Sequence, residues 1–207
     1  MTVIRYPAVI LAGGASRRMG VADKCLLDLD GKPLLAHVLD RLRPQVVNIL
    51  LNTNSEPEKF HAFGLPVRAD SLPGRLGPLA GILTGMHWAR ETQPEADYLL
   101  SVPSDAPYLP MDVAARLAPK MEFSPEIAVA VSGAQIHPTV ALWPLAFSER
   151  LETLVWQDGV RKMQDILRAL PSRIVEFPAS ESFTNINTPH DLNLAKQTGK
   201  IPLRDIA

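Results

Sequence analysis

Short, nearly continuous apolar runs alternate along the chain with segments whose apolar residues recur every three or four positions. Ala8-Val9-Ile10-Leu11 is such a run, ended by Gly13-Gly14, and predicts a strand buried on both faces of a parallel sheet. Pro33 opens a helix with Leu34, Leu35, Val38, Leu39 and Leu42 on one face, stopped by Pro44. Val46 to Leu51 predicts a second buried strand, ending at Asn52-Thr53-Asn54. A short helix from about 56 to 63 then leads to a short strand at Pro66-Val67-Arg68-Ala69. Gly77-Pro78 opens another helix, with Leu79, Ile82, Leu83 and Met86 on its buried face. Tyr98 to Val102 predicts a fourth strand, running into the proline-stiffened loop Pro103-Ser104-Asp105-Ala106-Pro107. A helix over about 111–118 follows.

This β-α-β-α-β order predicts a three-layer α/β/α arrangement, a mostly parallel sheet with helices on both faces. Ligands of such sheets bind at the carboxyl ends of the strands, so the loops after Leu11, Leu51, Ala69 and Val102 are expected to share one edge. The second half is less regular. Ile127–Val131 and Thr139–Leu142 read as paired strands joined by Ser132-Gly133-Ala134. Helices are expected at about 144–156 and 160–169, broken by Asp158-Gly159, then a strand near 173–177 and a final helix from Pro189. The 207 residues suit one domain, with a first half of about 1–110 and a second of about 111–207. There is no internal repeat.

Composition narrows the partners. With 46% hydrophobic and 21% charged residues the chain can bury a full core. Its 21 Lys and Arg against 22 Asp and Glu leave a formal charge of −1, without the basic excess of a nucleic-acid binder. Any anion site must come from local placement of cations, which points to a small phosphorylated ligand and no nucleic acid. The single cysteine, Cys25, permits no intrachain disulfide and fits a reducing compartment. No run approaches the roughly 18 apolar residues of a membrane helix, and the N-terminus lacks the pattern of a signal peptide. The expectation is a cytoplasmic protein without membrane partners.

The strongest chemical signal is Leu11-Ala12-Gly13-Gly14-Ala15-Ser16-Arg17-Arg18-Met19-Gly20, followed by Asp23-Lys24. Glycines after a buried strand let backbone N–H groups approach a ligand with no Cβ in the way. Arg17, Arg18 and Lys24 then supply charge for a triphosphate. The spacing matches neither the G-x-x-x-x-G-K-[ST] phosphate loop nor the G-x-G-x-x-G dinucleotide loop.

The segment resembles the L-A-G-G-x-x-x-R-M-G-x-x-x-K signature of nucleotidyltransferases, and its spacing to Lys24 resembles the molybdenum cofactor guanylyltransferase (MobA-type) family. The resemblance continues through Asn52, Asp70-Ser71, Gly77-Pro78-Leu79-Ala80-Gly81, Asp105-Ala106-Pro107, His137-Pro138-Thr139 and Asn185-Ile186-Asn187-Thr188-Pro189. It implies a Rossmann-like nucleotidyltransferase fold and transfer of GMP from GTP to the terminal phosphate of molybdenum-bearing molybdopterin, with release of pyrophosphate. By that resemblance Leu11, Ala12, Gly13 and Gly14 contact the nucleotide, Lys24 and Arg18 act on its phosphates, and Asn52, Asp70 and Gly81 lie at the nucleoside end. Asp105 would hold Mg²⁺, although the chain has Asp105-Ala106-Pro107 where the family usually has D-T-P. Asn185, Asn187 and His137 are the acceptor-binding candidates. The resemblance also implies handover partners: molybdenum-cofactor insertion proteins and target molybdoenzymes. Cytidylyl-transferring relatives tend to carry alanine at the position of Gly13, so the missing methyl favours the larger guanine.

The residues keep other readings open. Asp105 could cap the helix near Met111, Asn52 and Asn54 could simply end a strand, and Gly81 and Gly85 could let a helix pack close to the sheet. A lone histidine such as His137 is commonly a packed, hydrogen-bonded residue. Arg161 and Lys162 could reach the acceptor's phosphate or stay solvated. Cys25, beside Lys24, reads as a small core residue. A cytidylyltransferase or another small-molecule nucleotidyltransferase is the alternative enzyme, and a nucleotide-binding regulator without turnover the alternative class.

Overall fold

The computed structural model describes residues 6–13, 23–74, 76–118, 125–178 and 183–198. In chain order the first half carries strands β1 (Tyr6–Leu11), β2 (Asp28–Leu29) and β3 (Lys32–Pro33), helix α1 (Leu34–Leu42), β4 (Val46–Asn52), β5 (Val67–Arg68), α2 (Pro78–Thr92) and β6 (Tyr98–Pro103). The second half adds α3 (Val113–Leu117), β7 (Ile127–Ser132), β8 (Gln135–Pro144), α4 (Ser148–Glu152), α5 (Met163–Ala169), β9 (Ser172–Phe177) and α6 (Pro189–Thr198).

Seven strands form one sheet in the order β5-β4-β1-β6-β8-β7-β9. Strands β5, β4, β1 and β6 are mutually parallel. Strand β8 runs against both β6 and β7, and β9 is parallel to β7. A single reversed strand therefore makes the sheet mixed.

The apolar runs are continuous because both faces of the sheet are covered, and side-chain alternation assigns neighbouring residues to opposite layers. Ala8 and Ile10 of β1 point into the layer formed with Leu35, Val38, Leu39 and Leu42 of α1 and Val113 and Leu117 of α3. Val9, between them, joins the opposite layer with Leu79, Ile82, Leu83 and Met86 of α2. Full burial of the five apolar side chains of α1 contributes on the order of 10 kcal/mol before conformational entropy is subtracted. A third, small cluster of Leu29, Leu34, Ile186 and Ala195 fastens α6 to the β2–β3 hairpin.

Several predicted elements shift in detail. The 56–63 segment is a run of 3₁₀ turns, Pro57–Phe63, with only Phe60 buried, closed by Gly64 at φ 65°. The expected 111–118 helix shortens to α3, and the strand at 66–69 to the two residues of β5. The expected 144–156 helix is three pieces: a 3₁₀ turn at Leu145–Phe147, then α4, then a π turn at Thr153–Gln157. The helix expected from 160 begins at Met163, because the Arg161 guanidinium bonds back to the carbonyls of Val155 (2.6 Å) and Val160 (3.0 Å). That engagement disfavours the proposed reach of Arg161 toward an acceptor phosphate. The β2–β3 hairpin was not predicted, although Asp30-Gly31 is a turn signature; both have positive φ, 53° and 80°.

Strand β8 is longer than the expected 139–142 because a bulge carries it past Pro138. Val129 faces Ala141 while Ala130 faces His137, so Pro138, Thr139 and Val140 have no partner on β7. The Ser101 hydroxyl fixes this bulge. It donates to the Thr139 carbonyl (2.9 Å) and accepts from Trp143 Nε1 (2.9 Å).

Candidate active site

Sheet register brings the carboxyl ends together. Leu11 of β1 stands opposite Asn52 of β4 and Pro103 of β6, and Asn52 opposite Arg68 of β5. Over this edge lies a cavity of about 290 Å³ lined by Leu11–Gly13, Lys24, Cys25, Ser104, Asp105, Asn185 and Asn187, among others. The glycine segment leaves β1 pinned on both sides. Ala12 N–H donates to the Asn52 carbonyl (2.8 Å), and the Leu11 carbonyl accepts from Ser104 N–H (3.1 Å). Backbone donation to a ligand therefore begins no earlier than Gly13. Among the described residues a Cβ on Gly13 would touch only Asn52 Oδ1, at 3.8 Å, an ordinary van der Waals contact. Gly14, Arg17, Arg18 and Gly20 lie outside the described residues.

Lys24 closes the opposite wall. Its ammonium is in direct contact with Asp105 Oδ2 and donates to Asn187 Oδ1 at 2.8 Å. One cation thus ties its own segment, the β6 loop and the segment before α6. Burial pushes the Asp105 carboxyl up from the ordinary carboxylate value, and the Lys24 charge opposes that push. Asp105 caps no helix: α3 starts at Val113 with Asp112 at its cap position. The Asp105 carbonyl accepts from Ile186 N–H (2.9 Å), locking the β6 loop to the segment before α6.

That segment is rigid for a local reason. Thr188 and Asp191 form a capping box around Pro189, the first residue of α6. Asp191 Oδ2 accepts from the N–H groups of Asn187 and Thr188 (both 2.8 Å), and Asp191 N–H donates to Thr188 Oγ1 (3.1 Å). The T-P-H-D pattern could have disclosed Asp191 in the sequence. Asp23, also missed, accepts from the Ser55 hydroxyl and from Lys59 Nζ (3.0 Å), anchoring the residue before Lys24 to the loop after β4.

Asn52, Asp70 and Gly81 form a tier adjoining the cavity. Asn52 Nδ2 donates to Asp70 Oδ1 (3.0 Å) and the Arg68 carbonyl (3.2 Å), while Asn54 Nδ2 bonds Asp70 Oδ2 (2.8 Å). Gly81 lets α2 settle on this network, since a Cβ would collide with Asn52 Oδ1 and lie 2.7 Å from Leu11 Cδ2. Gly85 serves packing: its Cβ would lie 2.8 Å from Val9 Cβ and 2.9 Å from Leu99 Cδ2.

His137 is a packed residue. Its Nε2 is 2.8 Å from Ser132 Oγ and its ring stacks 4.8 Å from Phe183. Burial drives its pKa down to about 4, so it is neutral at physiological pH. Cys25 is buried and its thiol is pushed up to about 12 by burial and the Asp23 charge, which makes it an inert core residue. A larger hollow of about 490 Å³ lies away from this edge, between Arg43, Val46 and Trp88. Its described lining has neither a carboxylate nor the glycine segment.

The cavity's donor set fits magnesium of a particular kind. Asp105 is the one carboxylate among the described lining residues, and no cluster of three His, Cys, Asp or Glu side chains occurs among the described residues. Mg²⁺ commonly binds through one or two carboxylates plus substrate phosphates. Asp105 therefore suits an ion that arrives with a triphosphate.

The same fold occurs in solved nucleotide-handling proteins. A CMP:2-keto-3-deoxy-manno-octonic acid synthetase complexed with CTP superposes with a TM-score of 0.72 at 16% identity, covering 94% of this chain and 98% of that one. A molybdopterin-guanine dinucleotide biosynthesis protein A from Archaeoglobus fulgidus also gives 0.72, at 25% identity over 92% and 97%. Fold and cleft define the class: a nucleotidyltransferase. In sequence, the profile of the MobA-like NTP transferase domain matches residues 8–174. A molybdenum cofactor guanylyltransferase of Rhodopseudomonas palustris (strain BisB5) is 43% identical over 202 residues, 96% of this chain and 95% of the relative. The chain belongs to the MobA-like NTP transferase family.

Proposed function

We propose that this protein transfers GMP from GTP to the terminal phosphate of molybdenum-bearing molybdopterin, forming the guanine dinucleotide cofactor and pyrophosphate. The observation that carries the reading is the meeting of Gly13, Lys24 and Asp105 around one cavity at the sheet edge, with Asn185 and Asn187 also in its lining and Asn187 bonded to Lys24. An oxygen of the acceptor's phosphate attacks the α-phosphorus; a new P–O bond forms, and the bond to the β-phosphate breaks with its electron pair leaving on pyrophosphate. Such a reaction needs alignment and charge neutralisation, and no covalent nucleophile.

The residues divide that work. The bare backbone at Gly13 admits the triphosphate closely, and Lys24 holds charge against it. Asn52, fixed by Asp70, frames the nucleoside end. Asn187 stands beside Lys24, where the acceptor's phosphate must come. Asp105 would hold Mg²⁺, which when bound neutralises the phosphate oxygens and screens them from the incoming anion. Release of the product to insertion proteins and molybdoenzymes in the cytoplasm completes the proposal. No helix among the described residues is long and apolar enough to cross a membrane.

Incubating the purified protein with GTP, Mg²⁺ and molybdenum-loaded molybdopterin tests the reading by detection of the dinucleotide and pyrophosphate. Parallel reactions with CTP and ATP test the base: equal or better turnover with CTP overturns the guanine assignment, and no product with any nucleotide overturns the transfer itself.

A further inference from the structure

A second cavity, of about 280 Å³, opens beside the first and shares Thr139, Asn185 and Asn187 with it. Its other described lining comes from β8 and the segment from Phe183, and includes Gln135 and His137. None of these described residues carries a charge at neutral pH, the imidazole included, because its buried ring faces Ser132 Oγ and Phe183. A phosphate seated there would lose its hydration with no cation in return. Lys24 stands in the first cavity, so the acceptor's phosphate belongs at the shared wall and its uncharged ring system in the second cavity.

One atom of that second cavity's wall is conspicuous. Gln135 Oε1 is buried and has no hydrogen-bond partner among the described residues. Gln135 and His137 are two apart on β8 and so share a face of the strand. The histidine has a partner in Ser132, whereas the amide oxygen has none among the described residues. A buried carbonyl oxygen without a donor is costly, and in a binding cavity it marks where a ligand's donor goes. A pterin ring carries an exocyclic amino group and ring N–H groups along one edge, which suits such an acceptor.

We infer that Gln135 is a specificity-determining residue for the acceptor, its Oε1 accepting a hydrogen bond from the N–H edge of the pterin ring seated in the second cavity. This rests on the proposed transfer to molybdopterin. Site discrimination is strong when a buried protein group is left unpaired by the wrong ligand, so the same contact would reject phosphates that lack an N–H edge.

The test compares wild type, Gln135→Leu and Gln135→Glu with GTP, Mg²⁺ and molybdenum-loaded molybdopterin, reading KM for the acceptor, and titrates GTP separately by calorimetry. The expected result is a rise in acceptor KM of roughly tenfold for the leucine variant, the scale of one lost buried hydrogen bond. The glutamate variant, which keeps an accepting oxygen, stays within about threefold of wild type on the same reasoning. GTP affinity is unchanged in both, which also shows that they fold. An unchanged acceptor KM for Gln135→Leu, or equal weakening of GTP and acceptor, overturns the inference. Failure of the wild type to form the dinucleotide instead overturns the proposed function on which it rests.

Discussion

Gly81 and Gly85 face the sheet one helical turn apart on α2, yet a methyl group at the two positions should have different consequences. At Gly81 it collides with Asn52 Oδ1 and presses on Leu11 Cδ2; at Gly85 it presses on Val9 and Leu99. Forcing a methyl group into a packed interior costs about 1–3 kcal/mol. Replacing glycine by alanine within a helix returns up to about 1 kcal/mol. Each Gly→Ala variant should therefore lose on the order of 1 kcal/mol, which lowers Tm by roughly 2–4 °C in a chain of this size. Only Gly81→Ala should also weaken GTP, because the atom it displaces belongs to the amide held by Asp70 and the Arg68 carbonyl. A weakening of about tenfold corresponds to about 1.4 kcal/mol. Scanning calorimetry reads the stability and titration calorimetry the GTP affinity. Wild-type GTP affinity in Gly81→Ala, or an equal loss in Gly85→Ala, would refute the assignment of Asn52 to the nucleoside end.

Lys24→Ala and Asp105→Asn should each lower turnover by on the order of 10²–10³, and the double variant by much less than the product, since the two side chains act as a unit. Steady-state kinetics checks this, and full Mg²⁺-dependent activity in Asp105→Asn would remove Asp105 from the metal role. Asp191→Ala should cost about 1 kcal/mol through the lost capping box and raise the acceptor KM more than the Kd for GTP, as read by thermal melts and paired titrations. For His137 the folded ring titrates near 4 and the unfolded one near 6.5, so the unfolded chain takes up the proton first as pH falls. The stability it confers is whole above about pH 6.5 and declines toward pH 4, by on the order of 1–3 kcal/mol. In urea melts across that range, His137→Gln should flatten the decline; an unchanged slope would contradict the buried neutral ring.

What was legible in the sequence followed from burial. Strand segments covered on both faces, such as Ala8–Leu11 and Ile49–Leu51, must be continuous apolar runs, and α1 must show its apolar stripe; both stand out in one dimension. The sheet edge was legible too, because parallel topology fixes where the loops after Leu11, Asn52, Arg68 and Pro103 gather. The short elements were harder to read. The broken helix after Pro144 and the bulge at Pro138 depend on contacts between distant segments, as when Ser101 holds Thr139, whereas the β2–β3 hairpin is local but only two residues long on each strand. Within the site, the sequence named Lys24, Asp105 and Asn187 separately. Their union through one ammonium, and the support from Asp23, arise only when distant loops meet in space, whereas the Asp191 capping box is local and stands in the T-P-H-D pattern.

A crystal structure with GTP and Mg²⁺ bound tests the central claim most directly. The triphosphate should lie against Gly13, with Lys24 drawn onto its oxygens and the metal on Asp105. A triphosphate bound elsewhere, for example in the larger hollow between Arg43 and Trp88, would contradict the assignment of this edge as the catalytic site.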